Sequence, residues 1–137
     1  ETLSNNPKPW TVVSFHHPLY SAGGGRDERA TRDAFLPIFD KYQVDLVLTG
    51  HDHAYSRSYK LKNGIKVNDS EQGTVYVVTV SGPKMYEVNS RYANLMVKMG
   101  GNVQLFQVIS VDGNKLTYQS FTVADSLYDS FELVKAD

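Results

Sequence analysis

A strand–helix–strand pattern near the start of the chain constrains this sequence more than any other feature. Residues 11–16 are β-branched and apolar on both faces, which predicts a buried strand. Residues 29–42 carry one apolar stripe at helical spacing, formed by Phe35, Ile38, Phe39 and Tyr42. Pro37 either kinks this helix or marks its first turn. Residues 44–49 form a second apolar strand, so the order predicts a βαβ unit with a right-handed crossover.

The rest of the chain carries signals for antiparallel strands. Asn63-Gly64 is the sequence of a two-residue hairpin turn in which both residues have positive φ. Residues 74–80 predict another buried strand, and residues 86–101 predict a short helix. An antiparallel meander is expected at the end of the chain, with strands at residues 103–111, 115–123 and 128–134. The expected fold class is α/β, a βαβ unit followed by antiparallel strands in a single domain over residues 1–137.

Charge and composition exclude several classes of partner. Fourteen Lys and Arg against fifteen Asp and Glu leave a net charge of -1, which gives no general attraction to nucleic acid or to an anionic membrane. The sequence has no run of 18 apolar residues, so no membrane span is expected. The absence of Cys excludes disulfides, thiolate metal sites and a cysteine nucleophile. We therefore expect neither a nucleic-acid nor a membrane partner.

All four histidines follow the two strands of the βαβ unit: His16, His17, His51 and His53. Ligands of open α/β sheets bind beyond the carboxyl ends of the strands, so His16 and His51 are expected at one rim. If residues 51–53 are extended, alternate side chains share a face, so that His53 joins them and Asp52 points away. Imidazole is a ligand for zinc, iron, manganese and nickel. The pattern therefore predicts a metal site made of His16, His51 and His53.

Less specific interpretations stand beside this one. A histidine at a strand end is more often a surface or hydrogen-bonded residue than a ligand, so a non-catalytic, β-rich binding domain with vestigial histidines is the alternative. His17 follows His16 directly and is expected to face the other way, where it packs or supports a ligand from behind. Arg26 and the amides of residues 23–25 could bind phosphate; alternatively the loop is flexible and Arg26 pairs with Glu28.

The histidine motifs resemble those of the calcineurin-like metallophosphoesterases, and most closely the purple acid phosphatase branch. The resemblance rests on Phe-His-His-Pro-Leu-Tyr at residues 15–20 and on Gly-His-Asp-His-Ala-Tyr-Ser-Arg at residues 50–57. It implies a four-layer α/β/β/α sandwich and a two-metal site, with metals of the iron, zinc or manganese type, that hydrolyses phosphate esters with a metal-activated water. It also implies that His16 and His51 ligate the second metal and that His53 ligates the first.

The sequence departs from this family in what it lacks. Members carry upstream motifs of the types DxH, GDxxY and GNHD, which supply carboxylate and amide ligands and a proton donor, and this sequence contains none of them. The resemblance thus implies the C-terminal half of a catalytic domain, completed by a missing N-terminal half. Alone, the chain is expected to be inactive or a very weak catalyst and to self-associate through exposed sheet. Tyr55 is expected to pack beneath the site, and Arg57 to bond to backbone or acids.

Overall fold

The computed structural model describes residues 1–136 and contains, within them, one α-helix and ten β-strands. The helix is α1 (Arg29–Lys41), and short 3-10 turns occur at Leu3–Asn5 and Ala93–Leu95. The strands are β1 (Val12–Ser14), β2 (Leu46–Thr49), β3 (Tyr55–Ser58), β4 (Leu61–Lys62), β5 (Ile65–Lys66), β6 (Val75–Val78), β7 (Met96–Gly100), β8 (Leu105–Asp112), β9 (Lys115–Thr122) and β10 (Leu127–Val134).

The first sheet contains the predicted βαβ unit. Its strand order is β1-β2-β6-β3-β7. β1 pairs with β2 in parallel, with Val13 opposite Val47, and β2 pairs in parallel with β6. β3 runs antiparallel to both β6 and β7. Three parallel strands therefore end at one rim of this sheet, and the parallel pair predicted from the sequence is confirmed.

The second sheet is the predicted meander. Its order is β10-β9-β8, with antiparallel pairing throughout. Leu46 and Val77 of the first sheet share a buried apolar cluster with Leu116 and Tyr118 of β9, so the two sheets pack face to face. On the other face of the first sheet, Phe39 of α1 packs with a second buried cluster. The chain thus forms three stacked layers, one helical and two of β-sheet.

Two elements differ from the sequence-based expectations. Residues 11–16 were expected to form a strand buried on both faces, but β1 has three residues and Val12 is 42% exposed. The reason is its place at the edge of the sheet, where only β2 pairs with it. The short helix expected in residues 86–101 is confirmed only as the three-residue 3-10 turn at Ala93–Leu95, because β7 in the same segment pairs along β3. Apolar spacing alone does not distinguish a short helix from a strand that gains cross-strand pairing.

The helix and the hairpin match the expectations from their sequences more closely than these two elements do. Pro37 lies inside α1, so it does not mark the first turn. Asn63 and Gly64 have φ of 51° and 73°, which confirms the two-residue turn between β4 and β5.

No helix among residues 1–136 has the length and apolarity that a membrane crossing requires.

A buried ion pair joins the two sheets. Arg57 of β3 donates from Nε to Asp129 Oδ2 at 2.6 Å and from Nη2 to Oδ1 at 2.9 Å. Tyr55, fully buried beside it, donates from its hydroxyl to Asp129 Oδ2 at 2.8 Å. Burial alone would raise the pKa of Asp129, but the bonds from Arg57 and Tyr55 hold it below its usual value. The expectation that Arg57 bonds to an acid is thereby confirmed.

Candidate metal centre

The parallel pairing of β1 and β2 brings the two histidine motifs together. Beyond the strand ends, Phe15 N donates to Leu48 O at 3.2 Å, and Gly50 N donates to His16 O at 3.1 Å. These bonds continue the ladder past both strands and hold His16 beside the turn that carries His51. The rim predicted from the strand order is therefore where the structure places these two side chains.

Three imidazoles form one group at this rim, which we call the imidazole triad: His16, His17 and His51. One ring nitrogen from each lies within 4.8 Å of the other two. His51 Nδ1 and His16 Nε2 are 3.1 Å apart, and the His17 ring centroid lies 4.3 Å from that of His51. His17 does not face away as strand alternation predicts, because β1 ends at Ser14 and the backbone beyond it is no longer extended strand.

His53 lies outside the imidazole triad, contrary to the expected convergence of His16, His51 and His53. The expectation required an extended backbone, but His51 and His53 have φ of 66° and 54°. The turn therefore sends their side chains in different directions. His53 Nδ1 instead lies 2.9 Å from Lys84 O, and its ring contacts Tyr86. A role for His53 as a metal ligand stays a prediction.

Asp52, between these two histidines, holds the neighbouring loop. It is fully buried, and its Oδ2 accepts hydrogen bonds from Ala22 N at 2.6 Å and Gly23 N at 3.1 Å. A Cβ on Gly23 would lie 3.2 Å from Asp52 O, so the glycine permits a close approach. Asp52 faces away from the triad as expected, but the sequence did not reveal that it fastens the glycine-rich loop to the histidine turn.

Arg26, at the end of that loop, contacts the triad directly. Its Nη1 donates to His51 O at 3.0 Å and lies 3.2 Å from His51 Nε2. The alternative pairing of Arg26 with Glu28 is wrong for this structure, since Glu28 Oε1 instead lies 3.9 Å from His17 Nε2. The charge of Arg26 is thus placed where an anion bound at the triad would meet it.

The ring of His51 has the neutral charge state that a metal ligand requires. Burial first, and then the nearby His17 and Arg26, lower the pKa of His51 below its usual value, so the ring is neutral at pH 7. A guanidinium can only donate hydrogen bonds, so His51 Nε2 accepts from Arg26, and the single ring proton is assigned to Nδ1. That proton points at His16 Nε2. A metal ion bound at Nδ1 would require the other neutral tautomer, in which the proton sits on Nε2 and Arg26 no longer donates to that nitrogen.

The donor set fits one metal ion of the zinc class. Two nitrogens that ligate a tetrahedral zinc at about 2.0–2.1 Å lie about 3.3 Å apart, close to the 3.1 Å between His51 Nδ1 and His16 Nε2. The third imidazole of the triad stands within reach of the same position. Three imidazoles leave a tetrahedral ion with one open position, which is the arrangement of catalytic sites.

The loop after β6 reaches the same rim. β6 runs parallel to β2, so residues 79–88 leave the sheet beside the two histidine loops. This loop contains Lys84 and Tyr86, which sequence reasoning assigned no role. The missed signal was Gly82-Pro83 directly after a buried strand, which indicates a loop at the carboxyl end of a third parallel strand. A cavity of about 510 Å³ also opens beside His16, with Gln107 of β8 in its lining.

The comparisons with known proteins agree with this geometry. The family model for Calcineurin-like phosphoesterase matches residues 1–55, which include all four histidines. An acid phosphatase of Aspergillus ficuum is 26% identical over 149 aligned positions, covering 98% of this chain and 23% of the relative. Purple acid phosphatase 1 of Ipomoea batatas is 37% identical over 65 positions, covering 46% of this chain and 14% of the relative.

A solved structure shares the fold. The purple acid phosphatase PPD1 from yellow lupin (Lupinus luteus) seeds superimposes with a TM-score of 0.79 over 96% of this chain, at 21% sequence identity. The match covers 26% of the lupin chain. The chain thus spans about a quarter or less of the length of these relatives, and its architecture is that of part of a purple acid phosphatase.

Proposed function

We propose that this chain, which belongs to the calcineurin-like phosphoesterase family and to its purple acid phosphatase branch, supplies the histidine ligands of a metal-dependent phosphoesterase. The observation that carries the proposal is the 3.1 Å separation of His51 Nδ1 and His16 Nε2, with His17 beside both. The substrate class is a phosphate ester. Two cations bound there would supply polarisation of the phosphoryl oxygens and activation of a water for attack on phosphorus.

The two metal ions of this proposal have different protein ligands. His16 and His51 hold one ion together, and the position of His17 makes it the third imidazole within reach. His53 serves the other ion through Nε2. Its Nδ1 faces the carbonyl of Lys84 at 2.9 Å, and a metal-binding histidine characteristically donates its second ring N–H to such an acceptor. That bond places the free lone pair on Nε2.

The remaining ligands come from a part of the catalytic domain that this sequence does not contain. Two cations held only by imidazoles lack the negative charge that stabilises a two-metal site, so affinity for the second ion is low without carboxylates. The N-terminal half of the domain is therefore the proposed partner. By itself this chain hydrolyses phosphate esters very weakly or not at all.

Zinc titration of the chain tests the ligand assignment. We expect the chain to bind one zinc ion, and His17→Ala to weaken the affinity by about tenfold or more, since it removes one of three imidazoles. His53→Ala is the matched control and should leave the affinity within about twofold. Isothermal titration calorimetry measures both. If His53→Ala abolished zinc binding and His17→Ala did not, His53 rather than His17 would be the third ligand of this zinc ion. An absence of any zinc binding would reject the metal site and favour the non-catalytic domain with vestigial histidines.

We also propose that the exposed edge of the first sheet makes the isolated chain self-associate. β1 pairs on one side only and exposes Val12, so it offers unpaired backbone groups and apolar surface to a second strand. Val12→Lys should shift the chain towards monomer in sedimentation velocity, because a lysine on an edge strand opposes strand pairing. Val123→Lys, which changes an equally apolar and 70% exposed residue just after β9, should not. A wild-type chain that stays monomeric at high concentration would contradict this proposal.

A further inference from the structure

Two cationic side chains flank one aromatic ring beside the imidazole triad. The guanidinium carbon of Arg26 lies 5.1 Å from the ring centroid of Tyr86, and Lys84 Nζ lies 5.3 Å from it. The same ring stands edge-on to His53, with the two centroids 5.4 Å apart. We call Arg26, Lys84 and Tyr86 the Tyr86 cluster. The ring face offers each cation a favourable contact that offsets part of their mutual repulsion.

The Tyr86 cluster is fixed to the histidine turn through the backbone. Tyr86 N donates to His53 O at 2.8 Å, and Lys84 O lies 2.9 Å from His53 Nδ1. Arg26 is held from the other side by its bond to His51 O. Behind the cluster, a Cβ on Gly101 would lie 2.6 Å from Tyr86 O, so a glycine is needed for this close packing. These contacts therefore hold the cluster in a defined position at the rim.

The cations of the cluster are not neutralised by acids. Among residues 1–136, neither Arg26 nor Lys84 has a carboxylate oxygen within 4.0 Å, whereas Arg32, Arg57 and Arg91 are each paired with an aspartate. Glu28 faces His17, and the Asp52 carboxylate is bonded to the amides of Ala22 and Gly23. The cluster presents uncompensated positive charge next to the candidate metal centre.

We propose that Arg26, Lys84 and Tyr86 bind a second phosphate group of the substrate, so that the preferred esters carry a phosphate on the alcohol portion as well as at the scissile bond. This rests on the proposed function for the place of the reacting phosphate, which lies at the triad. Arg26 borders both regions, because it touches His51 on one side and Tyr86 on the other. A guanidinium fork and a lysine point charge are the side chains that suit phosphate oxygens.

The binding test uses the metal-free chain, so that its outcome is independent of the metal site. Inorganic pyrophosphate and orthophosphate are titrated while the backbone amides of residues 26, 84 and 86 are followed by NMR. We expect pyrophosphate to shift these signals and to bind more tightly than orthophosphate. Lys84→Gln should weaken pyrophosphate binding by about three- to tenfold, the effect of one charge-assisted contact at a partly exposed site. Lys62→Gln removes the same charge from the β4–β5 hairpin and should leave the binding unchanged.

Three results would overturn this inference: no shift at these amides, equal affinity for the two anions, or equal weakening by Lys84→Gln and Lys62→Gln. None of them bears on whether the triad binds zinc, and a failed zinc titration leaves the pyrophosphate result standing. In the protein that carries the remaining metal ligands, Lys84→Gln should raise KM for a bisphosphate ester and leave KM for p-nitrophenyl phosphate unchanged, with kcat little altered for both. An equal change in both KM values would also overturn the inference.

Discussion

Alanine in place of Asp129 is expected to lower the free energy of unfolding by about 3–5 kcal/mol. The substitution leaves the Arg57 guanidinium, whose side chain is only 13% exposed, without its charged partner, and it removes the acceptor of the Tyr55 hydroxyl. An unpaired charge in this position costs more than the original pair contributed. Urea unfolding measures the change. Asp112→Ala, at the exposed end of β8, is the matched control and should stay within about 0.5 kcal/mol of the wild type.

The pH dependence of stability gives a second test of the same ion pair. The pKa of Asp129 is lowered in the folded protein, so its contribution is complete above the ordinary carboxyl value of about 4 and is lost as the pH falls through the lowered value. The stability difference between the wild type and Asp129→Asn should therefore be largest near neutral pH and shrink in acid. A difference that stays constant with pH would show that the charge of Asp129 contributes nothing and that only its shape matters.

Alanine in place of His51 is expected to lower the zinc affinity more than about 100-fold, a larger effect than that of His17→Ala. His51 Nδ1 lies opposite His16 Nε2, so the change removes one of the two closest imidazole nitrogens of the triad and also a contact that orients Arg26. In the protein that carries the remaining ligands, hydrolysis of p-nitrophenyl phosphate should fall to background. Calorimetry with zinc and a phosphatase assay provide the two readouts.

An unfolding curve for His51→Ala serves as its control. His51 has positive φ and lies on a partly exposed turn, so the fold should persist and lost activity should not reflect unfolding. Unchanged zinc affinity in a folded His51→Ala protein would contradict the assignment of this ring as a ligand. Retained zinc affinity with lost hydrolysis would restrict His51 to a role in substrate contact, which its bond to Arg26 permits.

The regular elements of this fold were predictable where local sequence and long-range pairing agree. The parallel pair β1 and β2, the Asn63-Gly64 turn and the meander each have a periodic or turn signal that matches their final contacts. The segment 86–101 was not predictable, because its pairing with β3 depends on residues far away in the sequence. The exposure of β1 likewise depends on its place in the sheet rather than on its composition.

The sequence predicted that the candidate site lies at the strand ends. It did not predict the directions in which the side chains point. Parallel strands and the rule for ligand positions in open sheets bring His16 and His51 together. His17, and not His53, joins the imidazole triad because the backbone angles outside the strand differ from those of an extended chain, and the alternation of side chains along a strand does not apply there. The burial of Asp52 beneath the loop is similarly invisible in the sequence, since its partners are backbone amides with no side-chain signature.

The left-handed turn at His51 and His53 has a thermodynamic consequence for this chain. A non-glycine residue in this conformation costs roughly 1–2 kcal/mol relative to one in the ordinary helical region. Glycine would adopt the same angles at little cost, but it has no imidazole. The two histidines therefore lower the stability of the fold relative to glycine at the same positions. In this conformation the His51 ring is directed towards His16 and the His53 ring towards Lys84.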